Sequence, residues 1–263
     1  MLSWKDEERF AVGNATFRIL PGEGWFVPGE GLLGAGQPVA EEADFLVAKP
    51  RALVELYARL IEGLRPKHVF ELGFYRGGST AFMAALARPR RLVAIDRRPA
   101  LTTAGVEEYA SSSGLDGVVR IYGDVDQADR DTLVEIVERE FGGNALDLVV
   151  DDCSHRYSET RASFNELFPR LRPGGLFVIE DWPWAHAHLG VEPLEGLLPD
   201  QVPLTRLVFE LVLALPSVPG LIADLTIDPG AVVVTRGDAT ADPDGFDIAA
   251  CSNPRGRALL APT

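Results

Sequence analysis

Phe70-Glu71-Leu72-Gly73-Phe74-Tyr75-Arg76-Gly77-Gly78-Ser79-Thr80 joins an apolar strand at residues 68–72 to a helix that begins near Ser79. Glycines at such a turn let the backbone approach a ligand closely, and the start of the helix offers unpaired N–H groups. A dinucleotide fingerprint would need glycine at positions 73, 75 and 78, and position 75 is tyrosine. Glu71 at the mouth of the turn would repel a pyrophosphate and suits a ligand carrying an ammonium group. The alternative is a tight turn without a ligand, and on its own the motif divides evenly between the two.

Working outward, the pattern is regular. Pro50 suits the first turn of a helix, and Leu53, Leu56, Tyr57, Leu60, Ile61 and Leu64 follow helical spacing. Downstream, strands at 91–96, 118–122, 146–151 and 175–180 alternate with helices near 79–87, 99–112, 133–141 and 164–171. Such alternation predicts an α/β fold, a doubly wound and mostly parallel sheet with right-handed crossovers. The rule changes near the end, where the runs 221–226 and 231–235 flank the tight-turn sequence Ile227-Asp228-Pro229-Gly230, an antiparallel hairpin.

Apolar positions 204, 207, 208, 211, 212 and 215 form a helical stripe wide enough to cover the sheet and leave room for a subunit interface, so a homo-oligomer is expected. Residues 1–47 read as an N-terminal arm or lid. Within it, Gly13-Asn14 turns a short hairpin over 10–19, and 20–38 read as a loop. The main domain is placed at 48–236, and 237–263 read as a tail of loop.

Composition narrows the partners. A net charge of −14 argues against a nucleic-acid backbone or an anionic membrane surface as the main partner. No apolar run is long enough to span a bilayer, and the first residues lack the basic-then-apolar design of a secretion signal, so a cytoplasmic protein is expected. Cys153 and Cys251 could form one bridge at most.

The chemistry is concentrated where strands end. Asp96 closes the second strand at the usual place for an acid that takes ribose hydroxyls, and Asp124 closes the third, with Asp126 as its competitor. Asp151-Asp152-Cys153-Ser154-His155 and Glu180-Asp181 follow the next two. Ligands of open α/β sheets bind outside the carboxyl ends of the strands, so acids there converge, and hard oxygen donors suit Mg²⁺ or a similar cation. Side chains alternate along a strand, so either Asp151 or Asp152 could be the donor; the spacing to His155, a proton acceptor three residues on, favours Asp152.

This constellation resembles the class I S-adenosylmethionine-dependent methyltransferases over about residues 48–236. The resemblance implies a Rossmann-like seven-stranded sheet ending in the same hairpin. It places Glu71 and Gly73 beside the methionine portion of S-adenosylmethionine, Asp96 beside the ribose and Asp124 beside the adenine. Tyr75, Gly77, Gly78, Ser79 and Asp151 complete the expected cofactor set. Asp152 with Glu180 and Asp181 matches the ligand positions of divalent-metal-dependent O-methyltransferases. Catechol O-methyltransferases carry a lysine where this chain has His155. Asp-x-x-His with Glu-Asp is more similar to the macrocin and mycinamicin sugar O-methyltransferases and their cephalosporin-hydroxylase-like relatives.

The expectation is therefore O-methyl transfer dependent on Mg²⁺ or Mn²⁺. The acceptor would be a hydroxyl of a sugar, glycoside or polyol-bearing natural product. The cation would acidify and orient the acceptor, and His155 would be general base. Competing readings are a catechol-type enzyme with an aromatic acceptor beside Trp182 and Trp184, a nicotinamide oxidoreductase, which Tyr75 and Glu71 oppose, and a non-catalytic S-adenosylmethionine-binding protein. His186 and His188 are acceptor-pocket candidates, His68 reads as structural, and Cys153, flanked by acids, is a poor nucleophile.

Overall fold

The computed structural model describes residues 1–19, 26–27, 31–32, 45–100, 104–186 and 202–260. In chain order the strands are β1 (Leu2–Trp4), β2 (Arg9–Val12), β3 (Ala15–Ile19), β4 (Phe26–Val27), β5 (Gly31–Leu32), β6 (Phe45–Val47), β7 (His68–Leu72), β8 (Arg91–Ile95), β9 (Val119–Tyr122), β10 (Leu146–Asp151), β11 (Leu171–Glu180), β12 (Ile222–Ile227) and β13 (Ala231–Arg236). The α-helices are α1 (Arg51–Leu64), α2 (Gly78–Ala87), α3 (Ala104–Ser112), α4 (Arg130–Phe141), α5 (Tyr157–Leu167), α6 (Thr205–Ser217) and α7 (Pro254–Leu259).

Seven strands form the main sheet in the order β12-β13-β11-β10-β7-β8-β9. The β7–β8, β8–β9, β7–β10 and β10–β11 pairs are parallel, while β11–β13 and β12–β13 are antiparallel. The expected doubly wound sheet with a terminal hairpin is thus present. The chain runs outward from β7 to β9 and then returns to β10 on the other side of β7. Ligands of open sheets sit at such a reversal, beyond the strand ends.

Both faces of the sheet are covered, which explains why its central strands are apolar throughout. On one side α1, α2 and α3 bring Leu53, Val54, Tyr57, Phe82, Met83 and Tyr109 against Val69, Ala94, Leu148 and Val150. On the other, α4, α5 and α6 bring Leu133, Phe141, Phe164, Leu167 and Leu211 against Phe70, Val93, Val149 and Phe177. Local signals set the helix limits: Asp129 caps α4 by accepting from the Thr132 N–H, and Gly142 ends it in the left-handed conformation. The α6 stripe divides as its width suggested, with Leu207, Val208 and Leu211 buried and Val212 and Leu215 exposed, and Phe209 beside it is exposed as well.

Two regions differ from expectation. The Gly13-Asn14 hairpin belongs to a four-stranded sheet, β1-β2-β3-β6, whose Phe10 and Phe17 pack on Phe82 of α2. The described part of residues 1–47 therefore shares the main core. Within the expected loop at 20–38, β4 and β5 pair antiparallel. The tail also carries order: Asn253 caps α7 by accepting from Gly256 N–H, with Pro254 in its first turn.

Candidate active site

Register brings the functional residues together. Asp151 of β10 lies opposite Leu72 of β7 and Ile179 of β11, so the next residues, Gly73, Asp152 and Glu180, emerge side by side. Asp152 N–H still reaches Leu72 C=O at 2.9 Å, and Asp181 N–H donates to Gly230 C=O at 3.1 Å. Gly73 sits at φ +91°, where a Cβ would lie 2.0 Å from the Asp152 carbonyl oxygen. Only glycine lets these two strand ends approach so closely.

Beyond the strand ends the backbone turns sharply at side chains that matter. Tyr75, Asp124, His155 and Asp181 are non-glycine residues with φ of 49°, 58°, 55° and 53°. Asp and His tolerate this left-handed region better than most residues. One cleft is lined by Gly73, Tyr75, Gly78, Ser79, Asp96 and Arg98 at one end, and by Lys49, Asp152, His155, Asp181 and Trp184 at the other.

At the first end, Asp96 accepts from the Tyr75 and Arg98 N–H groups at 2.8 and 2.9 Å, which fixes the glycine turn to the end of β8. The Tyr75 ring stacks under the Arg98 guanidinium at 4.8 Å. Glu71, expected beside the ligand, lies fully buried beneath the turn, outside the cleft lining. Thr80 Oγ1 donates to its Oε2 at 2.5 Å, while Oε1 has no hydrogen-bond partner among the described residues. Burial pushes the Glu71 carboxyl up to about 7. Asp124 is exposed and also outside the lining.

Asp151 is turned away from the cleft. It is buried, accepting from Ser163 Oγ at 2.8 Å and from Gln127 Nε2 at 3.1 Å, and Gln127 Oε1 in turn accepts from the Ser154 N–H at 2.9 Å. Strand alternation explains this: Asp151 holds the loop, and Asp152 faces the cleft. Burial raises the Asp151 carboxyl to about 6.

At the second end, one donor atom from each of Asp152, His155 and Asp181 falls within 4.8 Å of the others. His155 Nε2 is 4.0 Å from both Asp152 Oδ1 and Asp181 Oδ2, and its ring lies 4.4 Å from that of Trp184. Desolvation lowers the His155 pKa, with Asp152 and Asp151 opposing, so the ring is neutral and proton-accepting near pH 7. Burial and the neighbouring Asp152 carboxylate push the Asp181 and Glu180 carboxyls up, and the Lys49 ammonium opposes both shifts.

Glu180, expected as a third direct ligand, is placed differently. It is 2% exposed, and its Oε1 accepts from Lys49 Nζ at 2.6 Å and from the Tyr57 hydroxyl at 2.6 Å. Lys49 also bonds Asp152 Oδ2 at 2.7 Å. Sequence reasoning passed over Lys49 and Tyr57, yet Lys49 is the sole charge in the run from Phe45 to Pro50. A lysine in an apolar stretch was the available signal, because a buried ammonium needs anionic partners.

The remaining candidates separate cleanly. His186 pairs with Thr205 Oγ1 at 2.7 Å on the surface, and His188 lies outside the described residues. His68 is structural, its Nδ1 3.0 Å from Ala145 C=O. Burial and the surrounding acids push the Cys153 thiol well up, so it is a poor nucleophile.

The residues fit a divalent cation. Mg²⁺ is commonly held by one or two carboxylates and completes its shell with water or substrate oxygen, which Asp152 and Asp181 in an open cleft allow. The glycine turn, with no room for a Cβ at Gly73 and with Asp96 in the lining, likewise fits a nucleoside-type cofactor lying across the strand ends.

Residues 70–182 match a family model described as a methyltransferase domain. Two curated relatives are each 48% identical over 63 residues, 22% of this chain and 15% of theirs. They are demethylmacrocin O-methyltransferase of Streptomyces fradiae and mycinamicin VI 2''-O-methyltransferase of Micromonospora griseorubida. Among solved structures, MycE methyltransferase from the mycinamycin biosynthetic pathway, in complex with Mg, SAH and mycinamycin VI, superposes with a TM-score of 0.51. It is 27% identical, over 70% of this chain and 49% of that one. The O-methyltransferase TomG of Streptomyces achromogenes, 17% identical over 73% of this chain and 82% of its own, shares the fold with a TM-score of 0.51.

In fold and over the matched segments the chain is similar to the class I methyltransferases. The curated relatives that it matches over 63 residues are of the macrocin and mycinamicin type of O-methyltransferase. The chain spans about half the length of the MycE chain it matches.

Proposed function

We propose that the protein is an S-adenosylmethionine- and Mg²⁺-dependent O-methyltransferase acting on a hydroxyl of a sugar or other polyol-bearing natural product. The observation that carries this reading is the convergence of Asp152, His155 and Asp181 at one end of a cleft whose other end is the Gly73–Ser79 turn with Asp96. The relatives with a macrolide or sugar in their names support the acceptor class. When bound, the cation supplies Lewis acidity to the acceptor hydroxyl and the cofactor supplies a methyl group on a sulfonium.

The chain's own residues do the rest. Asp152 and Asp181 offer the oxygen donors for Mg²⁺ or Mn²⁺, and Glu180 contributes its charge from behind. His155 Nε2 faces the space between the two aspartates and takes the hydroxyl proton; Trp184 packs on the ring and limits its rotation. Lys49 is no rival base, since two carboxylates keep it charged. Gly73, Tyr75, Gly78, Ser79 and Asp96 cradle the cofactor, with Gly77 setting the turn. Glu71 acts from beneath that turn, and Asp124 closes the adenine side. No described helix is long and apolar enough to cross a membrane, and a cytoplasmic homo-oligomer joined through Phe209, Val212 and Leu215 is part of the proposal.

The test is direct: incubate the protein with S-adenosylmethionine and a panel of deoxysugar nucleotides, glycosylated macrolides and catechols, with and without EDTA. Methylation of a sugar hydroxyl that stops on chelation is expected. Calorimetric binding of NAD without binding of S-adenosylhomocysteine would end the reading, and full turnover after exhaustive chelation would end its metal part.

A further inference from the structure

Gln127 lies outside the cleft lining, yet it is 1% exposed and both ends of its amide are in use. Nε2 donates to Asp151 Oδ2 at 3.1 Å and to Ser163 Oγ at 3.3 Å, and Ser163 Oγ donates to the same Asp151 oxygen at 2.8 Å. Oε1 accepts from the Ser154 N–H at 2.9 Å. The two ends are not interchangeable. A carboxylate needs a donor and an N–H needs an acceptor, so one orientation of the amide serves both.

The side chain comes from the turn between β9 and α4. Val125 N–H fixes that turn to Asp96 C=O at 3.0 Å, and Asp126 closes it by accepting from the Ala128 and Asp129 N–H groups. What Gln127 reaches is the loop between β10 and α5. There Ser154 N–H is held by Gln127, while Ser154 Oγ accepts from Arg156 N–H at 3.2 Å. His155 lies between these two anchored N–H groups, at a left-handed φ of 55°. An apolar side chain would fill the space beside Asp151 but would leave Ser154 N–H and the carboxylate short of a partner.

We propose that Gln127 is a positioning residue for His155: from the turn after β9 it binds the Asp151 carboxylate and the Ser154 N–H together, and so fixes the backbone that carries the base. The proposal rests on the reading of His155 as general base. It also gives the cofactor side of the sheet a hold on that base, because the same turn is tied to Asp96, which lines the cleft.

The experiment measures amide hydrogen exchange by mass spectrometry across residues 152–156 of the full chain, with residues 51–64 of α1 as internal control. Methyl transfer from S-adenosylmethionine to the glycosylated macrolides of the panel above is followed alongside. Gln127→Glu keeps the shape but sets a second carboxylate against Asp151. Exchange over 152–156 should rise about tenfold or more, as buried hydrogen bonds are lost, with α1 unchanged. The kcat should fall about tenfold or more, the scale of a misplaced catalytic group, while KM for S-adenosylmethionine stays within about threefold. Combining Gln127→Glu with Asp151→Asn reverses the polarity of the contact and keeps the net charge. The amide at 151 then donates to the carboxylate at 127, which still accepts from Ser154 N–H. Exchange and kcat should both return to within about threefold of wild type.

A double variant no better than Gln127→Glu overturns the proposal, since packing and not the directed bonds would then set the loop. So does a folded Gln127→Glu whose 152–156 segment exchanges at the wild-type rate, or one whose loop opens while kcat is unchanged. Should Gln127→Glu fail to fold, the apolar Gln127→Met is compared with the double variant, and equal exchange and kcat in the two overturn it. Near-normal turnover in His155→Ala would remove the base reading and this inference together. Lost turnover in His155→Ala with wild-type behaviour in the Gln127 variants would sink this inference alone.

Discussion

Replacing Gly73 with alanine tests whether the strand-end contact that brings the two halves of the cleft together is as tight as the geometry requires. The new Cβ would lie 2.0 Å from the Asp152 carbonyl oxygen and 2.6 Å from its carbonyl carbon, both backbone atoms with no rotamer to escape into. Either β7 or β10 must then retreat by about an ångström, and forced overpacking of this kind costs about 1–3 kcal/mol. A left-handed φ on an L-residue adds about 1–2 kcal/mol. The sum, about 2–5 kcal/mol, corresponds to a melting temperature lower by roughly 5–15 °C for a domain of this size. Because the struck atoms belong to Asp152, Mn²⁺ affinity should fall in the protein that remains folded. Gly63→Ala is the control: it lies in α1 with nothing within 4 Å of its added Cβ, and it should leave stability unchanged or raise it by about 0.4–1 kcal/mol. Thermal melts followed by circular dichroism read both. Gly73→Ala melting within 2 °C of wild type, about the shift of a single kcal/mol or less, would refute the close approach and the assignment of Gly73 to it.

Two further outcomes follow from the same geometry. His155→Ala should lower methyl transfer by about a hundredfold or more while S-adenosylhomocysteine affinity is retained; near-normal turnover in that variant would remove the histidine from the base role. Glu71 tests linkage. Its folded pKa, about 7, lies above the ordinary 4.5, so its contribution to stability is fully present below the ordinary value and is lost as pH rises through about 7. Glu71→Gln should therefore gain stability relative to wild type between pH 5 and pH 8.5 in urea denaturation, and a pH-independent difference between the two proteins would show that Glu71 is not held in this state.

The parallel sheet and its hairpin were legible because each element carries a local signature: apolar runs of strand length, helical stripes, and Asp-Pro-Gly between the last two strands. Asp152, His155, Glu180 and Asp181 were legible as a group for the same reason, since they follow runs whose ends the topology aligns. Direction and distance were harder. Asp151 and Glu71 are acids at strand ends like Asp152, yet they face Ser163 and Thr80 in the packed layers. Only the pleat, one residue out of step, separates the two fates. Lys49 was missed because its partners lie over a hundred residues away, and no periodicity encodes such a contact. The first sheet was hidden likewise: β3 pairs with β6 in parallel across an intervening segment of chain. Helix α7 had its cap in plain view as Asn253-Pro254, but six residues offer too little apolar pattern to stand out from loop.

The left-handed residues connect these observations. A non-glycine residue held there costs of order 1–3 kcal/mol and persists only where its surroundings over-determine it. Asp181 and His155 both adopt it, one directly after β11 and one four residues after β10. Their surroundings supply the constraint: Asp181 N–H is tied to Gly230, and the His155 loop is tied through Ser154 to Gln127 and Asp151. The buried Asp151 network, which lies outside the cleft, thus keeps His155 at a fixed backbone angle above Asp152. Glycine at either position would relieve the strain but remove the side chain that carries Nε2 or Oδ2 to its edge of the gap. Asp151, an acid expected to bind ligand and found instead in the core, is what keeps His155 aimed.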